Sequence, residues 1–297
     1  MNVANKDTMN FTNEFKKYAA EIGCDLVGIA PVERFAGVAP ANHPATIFPE
    51  ARSVIVVGKR IPRGALRGVE EGTQFHTYGA YGYSWLEDRF LAIITVKVAE
   101  FLENNRWEAI PMINLPLEMG PMGVAVRPGS PAPNVLVDFD DAAVRAGLGE
   151  IGYLGAFVTP EFGTRQRFYL ILTDAVLDPT PFSTETVCER SKEFAKYCPL
   201  GAIAADQETV INIAGKKMKV AAIDYKKCAQ CKNGAVANRR HPSGKPDRLA
   251  AVCMRTYLVH LEKQGKVKNA FVNPFRTRPP WEVCGEREKI GEGHDIE

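Results

Sequence analysis

Residues 142–152 read Ala-Ala-Val-Arg-Ala-Gly-Leu-Gly-Glu-Ile-Gly, and no other stretch of the 297-residue chain says as much about its fold. The last six residues match the pattern Gly-x-Gly-x-x-Gly, which in dinucleotide-binding folds follows a strand and opens a helix. Here the preceding residues, 140–146, predict a short helix capped by Asp140 or Asp141 and ended by Gly147. The residues that follow are broken by two glycines and a proline. We therefore expect no nicotinamide-binding site at this motif.

The segments on both sides of the motif predict an alternation of helices and strands. Helical periodicity covers 11–22, with Asn10 or Thr12 as cap and Gly23 as stop, and it returns over 85–104. Short apolar runs predict strands at 26–30, 53–58, 134–139 and 167–173. Near residue 180, cysteines and lysines replace this alternation. We place a domain boundary there, between 1–180 and 181–297.

The cysteines of the second region follow a ferredoxin pattern in part. The bacterial run Cys-x2-Cys-x2-Cys-x3-Cys-Pro would need four cysteines and a proline, starting at Cys188. The chain has Cys188, Ser191, Phe194, Cys198 and Pro199 in that register. Phenylalanine cannot bind iron and serine is a poor substitute for thiolate. A cluster that needs the first three positions is therefore predicted to be lost.

A second cluster is a separate question, because it would use Cys198 and thiols from further along the chain. Cys228 and Cys231 form a Cys-x2-Cys pair, and Cys253 is the fourth candidate. These four thiols could hold one [4Fe-4S] cluster, a structural zinc ion, or no metal at all. A complete ferredoxin ending, Cys-x2-Cys-x3-Cys aligned on Cys253, would also need cysteines at positions 250 and 257. The chain has Ala250 and Tyr257 there, which argues against such an ending. Two further cysteines carry no motif; they are Cys24, which we expect to be buried, and Cys284.

Composition and charge narrow the class of protein. The chain is 45% hydrophobic and 24% charged, as in ordinary globular proteins, and it has no apolar run long enough to span a membrane. A polar start and an odd number of cysteines favour a cytoplasmic location. Residues 209–281 carry 16 basic side chains and three acidic ones. Such a stretch fits an acidic protein, an anionic ligand or simply a solvated face, and no RNA-binding motif accompanies it.

The motif resembles a known group of proteins once its neighbours are included. The stretch 142–152, then Thr159-Pro-Glu-Phe-Gly-Thr-Arg165 and Leu172-Thr-Asp174, is similar to the corrinoid-binding core of epoxyqueuosine reductases and reductive dehalogenases. The opening Gly23-Cys-Asp-Leu-Val-Gly-Ile-Ala30 resembles the start of those proteins. The resemblance implies an α+β fold, with a nitroreductase-like corrinoid-binding core at 1–180 and a degenerate ferredoxin-like module at 181–297.

The resemblance also implies cobalamin as cofactor, bound without a protein histidine on the cobalt. The residues that it assigns to cobalamin binding are Gly147, Leu148, Gly149, Ile151, Gly152, Thr159, Glu161, Phe162, Gly163 and Arg165. Glycine-rich backbone suits a wide flat ring, although the same glycines could simply shape turns. Reductive cleavage needs a proton donor, for which Asp138 is the first choice and Tyr83 the second. Asp138 could equally be a helix cap, and Tyr83 a core aromatic.

The function expected from these features is a cytoplasmic cobalamin-dependent reductase that cleaves a bond in a small organic substrate. Electrons would enter through at most one iron–sulfur cluster, from an acidic donor protein docked at 209–281. The alternatives are a cobalamin-binding, processing or methyl-transfer protein without an internal relay, and a flavin protein on the same fold. The start has no twin-Arg pair, which argues against an exported dehalogenase. About forty residues follow Tyr257, too few for tRNA-gripping helical repeats, which argues against a nucleic-acid partner.

Overall fold

The computed structural model describes residues 3–184, 186–188, 190 and 192–273. It is a mixed α/β protein. The α-helices are α1 (Val3–Glu21), α2 (Pro44–Ile47), α3 (Arg67–Glu71), α4 (His76–Tyr78), α5 (Ala92–Asn104), α6 (Phe139–Arg145), α7 (Tyr225–Gln230) and α8 (Val252–Lys263). Short 3₁₀ turns lie at Val32–Phe35, Pro40–Asn42, Arg63–Leu66, Leu117–Met119 and Lys192–Tyr197.

The strands form three small sheets. The strands are β1 (Leu26–Pro31), β2 (Ser53–Arg60), β3 (Ala109–Met112), β4 (Glu150–Ile151), β5 (Phe157–Val158), β6 (Gln166–Thr173), β7 (Ile203–Ile213) and β8 (Lys216–Ile223). Four of them make a sheet in the order β1-β2-β6-β3, while β4 pairs with β5 and β7 with β8. The β1–β2, β3–β6, β4–β5 and β7–β8 pairs are antiparallel. β2 and β6 are the inner strands of the larger sheet, and both are buried along almost their whole length, as their continuous apolar sequences predict.

By their internal contacts, the described residues form two compact units. The first comprises 3–60, 85–148 and 167–184, and the second comprises 61–84, 149–166 and the described residues after 185. The first unit holds the four-stranded sheet with α1 and α6. The second holds the two hairpins with α7 and α8. The boundary near residue 180, the nitroreductase-like core and the ferredoxin-like module stay predictions.

The helical segment predicted over 85–104 is longer in the structure than its sequence predicts. Residues 76–104 are helical throughout, and π-helical turns at Gly79–Ser84 and Leu86–Leu91 separate α4 from α5. Two glycines in the first π segment have poor helix propensity, which hides this part of the helix from sequence periodicity. π-Helical turns are rare and frequently occur at functional sites.

Three local predictions are wrong. Residues 134–138 form no strand: Asn134 has a φ of 67°, and Asp138 caps α6 with its side chain. Asp140 and Asp141 lie inside the first turn of that helix instead of capping it. Asn10 and Thr12 lie within α1, which starts at Val3, well before the predicted cap.

In the described part of the chain, no helix combines the length and apolar character needed to cross a bilayer.

Candidate metal centre

Cys198 sits in a turn between a 3₁₀ helix and β7, all within the second unit. The amide of Cys198 donates to the carbonyl of Ala195 at 3.1 Å, which ends the 3₁₀ turn at Lys192–Tyr197. The chain then folds back, so that the amide of Ala202 donates to Cys198 Sγ at 3.2 Å. Pro199 cannot donate a backbone hydrogen bond and therefore favours this exit from the helix. The sulfur is thus held by a backbone donor.

Cys228 and Cys231 are positioned by the short helix α7. The side chain of Asp224 caps this helix by accepting from the amides of Lys226 and Lys227 at 3.0 and 3.1 Å. Cys228 lies inside the helix and Cys231 is the residue that ends it, with its amide donating to the Cys228 carbonyl at 3.2 Å. The Cys-x2-Cys spacing therefore spans the last helical turn.

Cys253 is brought to the same place by the start of α8. The amide of Val252, the first residue of α8, donates to the carbonyl of Asn233 at 3.0 Å. This hydrogen bond ties the beginning of α8 to the chain just after Cys231. Asn233 is fully buried, so the connection is sheltered from water.

The four cysteines line a single pocket. The rest of the lining is apolar except for one cation. It consists of Pro199, Leu200, Ala202, Ile203, Ala235, Arg248, Ala251 and Val252. The four candidate metal-binding residues are therefore brought together, although they come from three separate segments of the sequence.

The electrostatics of the pocket also connect these four thiols. Burial raises the pKa of Cys231 to about 11 and that of Cys253 to about 12, and the Cys198 and Cys228 sulfurs raise both further. Burial raises the pKa of Cys228 as well, while the Arg248 guanidinium opposes the rise at Cys228 and Cys253. Without a metal these three thiols are protonated at neutral pH. Coordination removes the protons, because a metal ion stabilises the thiolate.

The arrangement differs from that of a single-ion site. In the ranges that the structure describes, no three histidine, cysteine, aspartate or glutamate side chains converge closely enough to hold one metal ion. A structural zinc would need all four sulfurs about 2.3 Å from one point. A [4Fe-4S] cluster is larger and is also held by four thiolates. The chemistry of the four donors fits such a cluster.

Cys188 lies outside this pocket, in an aromatic environment. Its buried Sγ accepts hydrogen bonds from the Tyr257 hydroxyl at 2.6 Å and from the Tyr153 amide at 3.0 Å. The Phe194 ring packs against Tyr257 with centroids 5.0 Å apart. Burial raises the pKa of the Cys188 thiol, against the effect of these hydrogen bonds. Protein side chains thus surround the one described cysteine of the predicted lost cluster.

Glu150, within the glycine-rich motif, anchors this Cys188 segment. Its carboxylate is 1% exposed and accepts from the Cys188 amide at 2.6 Å. It also pairs with Arg190 at 3.5 Å and lies 4.0 Å from the ammonium of Lys216. Sequence analysis did not give Glu150 a role. A glutamate between two glycines offers no signal of its own, because its partners lie 38 to 66 positions further along the chain.

The predicted cobalamin-binding glycines pack closely against the protein. A side chain at Gly147, where φ is +75°, would lie 2.1 Å from the carbonyl oxygen of Pro181. A side chain at Gly149 would lie 2.1 Å from the carbonyl oxygen of Val158. Gly152 and Gly163 are crowded in the same way by side chains of Val158 and Leu258. Leu148 and Ile151 are buried. Packing therefore explains these glycines without a ligand, and their assignment to a cofactor stays a prediction.

The second predicted cofactor segment forms a tight turn. Thr159 and Gly163 exchange backbone hydrogen bonds at 2.9 Å, and the Thr159 hydroxyl accepts from the buried Phe162 amide at 3.0 Å. Arg165 is 2% exposed and donates to the carbonyl of Ile61 at 3.0 Å and to the side chain of Asn269 at 2.8 Å. Glu161 pairs with Lys268 at 3.2 Å. These polar side chains all have partners within the second unit.

The two candidate proton donors have structural partners as well. The Asp138 carboxylate accepts from the amides of Asp140 and Asp141, both at 3.0 Å, as a helix cap. Tyr83 is 5% exposed, its hydroxyl accepts from the Arg239 amide at 3.2 Å, and the guanidinium of Arg239 lies over its ring. Tyr83 also lies in the first π-helical segment. Its catalytic role and that of Asp138 stay predictions.

Arg248 is the residue of the pocket that sequence analysis missed. It is 7% exposed, lines the pocket beside the thiols, and donates from Nη2 to the carbonyl of Leu154 at 2.8 Å. The only signal in the sequence is the basic bias of 209–281, which gives no reason to choose this arginine over the others. Its position depends on tertiary packing.

No family model matches the chain, but known proteins are similar to it in sequence and in fold. The chain is 36% identical over 94 residues to the tetrachloroethene reductive dehalogenase of Sulfurospirillum multivorans, over 29% of this chain and 18% of that protein. It is 38% identical over 69 residues to the enzyme of the same name from Desulfitobacterium hafniense, over 22% of this chain and 12% of that protein. These matches span less than a fifth of the relatives' length.

Solved structures extend the similarity to most of the chain. A catabolic reductive dehalogenase in complex with 3-bromo-4-hydroxybenzoic acid matches with a TM-score of 0.54 and 16% identity, over 88% of this chain and 34% of that one. A reductive dehalogenase described with a mechanism for B12-dependent dehalogenation matches with a TM-score of 0.52 and 16% identity, over 84% and 32%. An epoxyqueuosine reductase bound to a tRNA stem loop matches with a TM-score of 0.47 and 14% identity, over 82% of this chain and 70% of that one. The resemblance predicted from the sequence is confirmed: the chain shares part of its sequence and its fold with reductive dehalogenases.

Proposed function

We propose that the chain is an oxidoreductase that carries electrons through one [4Fe-4S] cluster held by Cys198, Cys228, Cys231 and Cys253. The observation that carries this proposal is the single pocket that these four thiols line. Backbone amides near two of the sulfurs add support, because hydrogen bonds to sulfur are a usual feature of iron–sulfur sites. When bound, the cluster supplies one-electron transfer.

The proposed reaction is the cobalamin-dependent reductive cleavage of a bond in a small organic substrate. This part is supported by the reductases to which the chain is similar, one of which is described as B12-dependent. The contacts of the predicted cobalamin-binding residues lie within the protein and give no independent support.

The proposed partners follow from charge. Lys226, Lys227 and Lys232 are exposed and lie next to Cys228 and Cys231 in the sequence, so that an acidic electron donor could dock beside the pocket. The prediction against a nucleic-acid partner is not supported, since one structural neighbour is bound to a tRNA stem loop. We retain the small molecule as the proposed substrate and treat a tRNA stem loop as a competitor in binding assays.

A cytoplasmic location is part of the same proposal. The six cysteines that the structure describes are free thiols, as expected in a reducing compartment.

The test is anaerobic reconstitution of the full chain with ferrous iron and sulfide, followed by metal analysis. We expect about four irons and four sulfides per chain, with visible absorbance that bleaches on reduction. Cys198→Ser should lose most of this iron. Cys24→Ser is the matched control and should keep it, because Cys24 belongs to the first unit and does not line the pocket.

Three outcomes would contradict the assignment. A Cys198→Ser protein that keeps all its iron would remove the proposed ligand set. Wild-type protein that binds cobalamin tightly but takes up no iron would favour the alternative function, a cobalamin-handling protein without an internal relay. Bound zinc in place of iron after expression in iron-rich medium would point to a structural site.

A further inference from the structure

Arg248 presents a buried donor to the thiol-lined pocket. Its side chain lines the pocket and is 7% exposed. Nη2 donates to the Leu154 carbonyl, a side-chain hydrogen bond links the guanidinium to the Cys228 thiol, and Nη1 is buried with no further hydrogen-bond partner among the described residues. A buried donor without a partner is costly, by about 1–3 kcal/mol and more for a charged group. Such an atom is expected to find its partner in whatever fills the pocket.

The surroundings fix the guanidinium in this place. The Leu154 carbonyl holds one edge, and the Tyr225 ring lies against the group with 5.2 Å between the guanidinium carbon and the ring centroid. The backbone is held too, because the Ala251 amide donates to the Arg248 carbonyl at 2.8 Å. The positive charge therefore stays beside the cysteines instead of moving into solvent.

We propose that Arg248 raises the reduction potential of the cluster, by placing its charge and its Nη1 donor against the cluster's sulfur atoms. This inference rests on the proposed function, since it requires a cluster in the pocket. Reduction adds one electron, supplied by the external donor, and so makes the four-thiolate cluster more negative. A fixed cation stabilises the reduced form more than the oxidised form, and burial strengthens this effect because little water screens it.

Arg248 also connects the pocket to the glycine-rich motif. Its hydrogen bond to Leu154 joins the cluster side of the second unit to the loop that follows Gly152. A side chain at Gly155 would lie 3.7 Å from Nη2 of Arg248, so the loop backbone approaches the guanidinium closely. The residue that faces the thiols is thus held by the loop that the sequence motif defines.

The test is a redox titration of reconstituted protein, with iron and sulfide measured on the same samples. We expect Arg248→Gln to keep its iron and to lower the ratio of reduced to oxidised cluster at a fixed potential at least tenfold. For a one-electron couple this corresponds to about 59 mV. Arg248→Lys keeps the charge but loses the planar donors, and a decrease of about threefold is expected.

Lys232→Gln is the matched control, because it removes a positive charge that is next to Cys231 in sequence but exposed to water. Its effect should stay within twofold, since solvent screens an exposed charge. An Arg248→Gln protein that keeps its iron, and whose ratio of reduced to oxidised cluster at a fixed potential stays within twofold of wild type, would overturn the inference. If that variant fails to fold or to hold iron, Arg248→Met, which removes the charge but keeps an unbranched side chain of similar length, is titrated instead, and a ratio of reduced to oxidised cluster within twofold of wild type overturns the inference. Failure of the wild-type protein to bind iron would refute the cluster proposal and is read out separately.

Discussion

Tyr257 occupies a position where a complete ferredoxin ending, aligned on Cys253, would have a cysteine. In the structure its hydroxyl donates to Cys188 Sγ, and its ring packs against Phe194, which stands at another position where a cysteine is missing. Both aromatic side chains are buried, 0% and 3% exposed. Two positions that would bind iron in an intact module therefore contribute to a hydrophobic core around the Cys188 thiol.

We expect Tyr257→Phe to lower the free energy of unfolding by about 1 kcal/mol, because it removes a buried hydrogen bond and leaves the ring packing in place. Urea denaturation of the metal-free protein at neutral pH measures this. Tyr18→Phe is the control, since the Tyr18 ring stacks on Phe101 as an aromatic side chain and the residue is only half-buried. Equal stability of the two variants would mean that the Tyr257–Cys188 hydrogen bond contributes nothing.

Packing requires a glycine just after helix α6. The helix ends at Arg145, and Gly147, two residues further on, has a left-handed φ of +75° where a side chain would meet the Pro181 carbonyl. We expect Gly147→Ala to lower the free energy of unfolding by about 2 kcal/mol or more, from backbone strain together with the clash. Chemical denaturation without any cofactor is the measurement.

Gly37→Ala is a matched control for that variant. Gly37 also has a left-handed φ, +84°, but a side chain there would meet nothing within 4 Å. Strain alone should cost about 1 kcal/mol at Gly37. If both variants lowered the free energy of unfolding by the same amount, the close approach to Pro181 would add nothing to the cost of a side chain at Gly147. Contact with a ligand would then again be the explanation for a glycine at this position.

The elements that sequence analysis predicted are those with strong local signals. β2 and β6 are continuous apolar runs, and the end of α6 just before Gly147 follows from a glycine after a short helix. The run 134–139 misled because its β-branched residues resemble a strand, whereas Asp138 starts a helix. The four thiols could be predicted because cysteine spacing is a local pattern. Arg248 and Glu150 could not, because their roles depend on contacts between distant segments.

Charge is distributed unevenly over the whole molecule, and this determines where a partner is expected. Residues 1–187 carry 16 basic and 22 acidic side chains, whereas 209–281 carry 16 basic and three acidic. The full chain has a net charge of only +2. The uneven distribution therefore affects how a charged partner is oriented on the protein more than how strongly the whole protein attracts it. Because three of the four cysteines that line the thiol pocket lie in the basic stretch 209–281, an acidic donor would be steered to the part of the chain that holds them.

The double variant Lys226→Glu/Lys227→Glu tests this steering. Both side chains are exposed on α7, and glutamate near the start of a helix is compatible with its dipole, so folding should be preserved. We expect the second-order rate of cluster reduction by an acidic ferredoxin, followed by stopped flow at low salt, to fall about tenfold. The difference should shrink above about 0.1 M salt, where the screening length is about 10 Å. Lys17→Glu/Lys97→Glu makes the same change in net charge on the first unit and should alter the rate less than twofold; equal losses in both variants would assign the effect to net charge instead of a docking site.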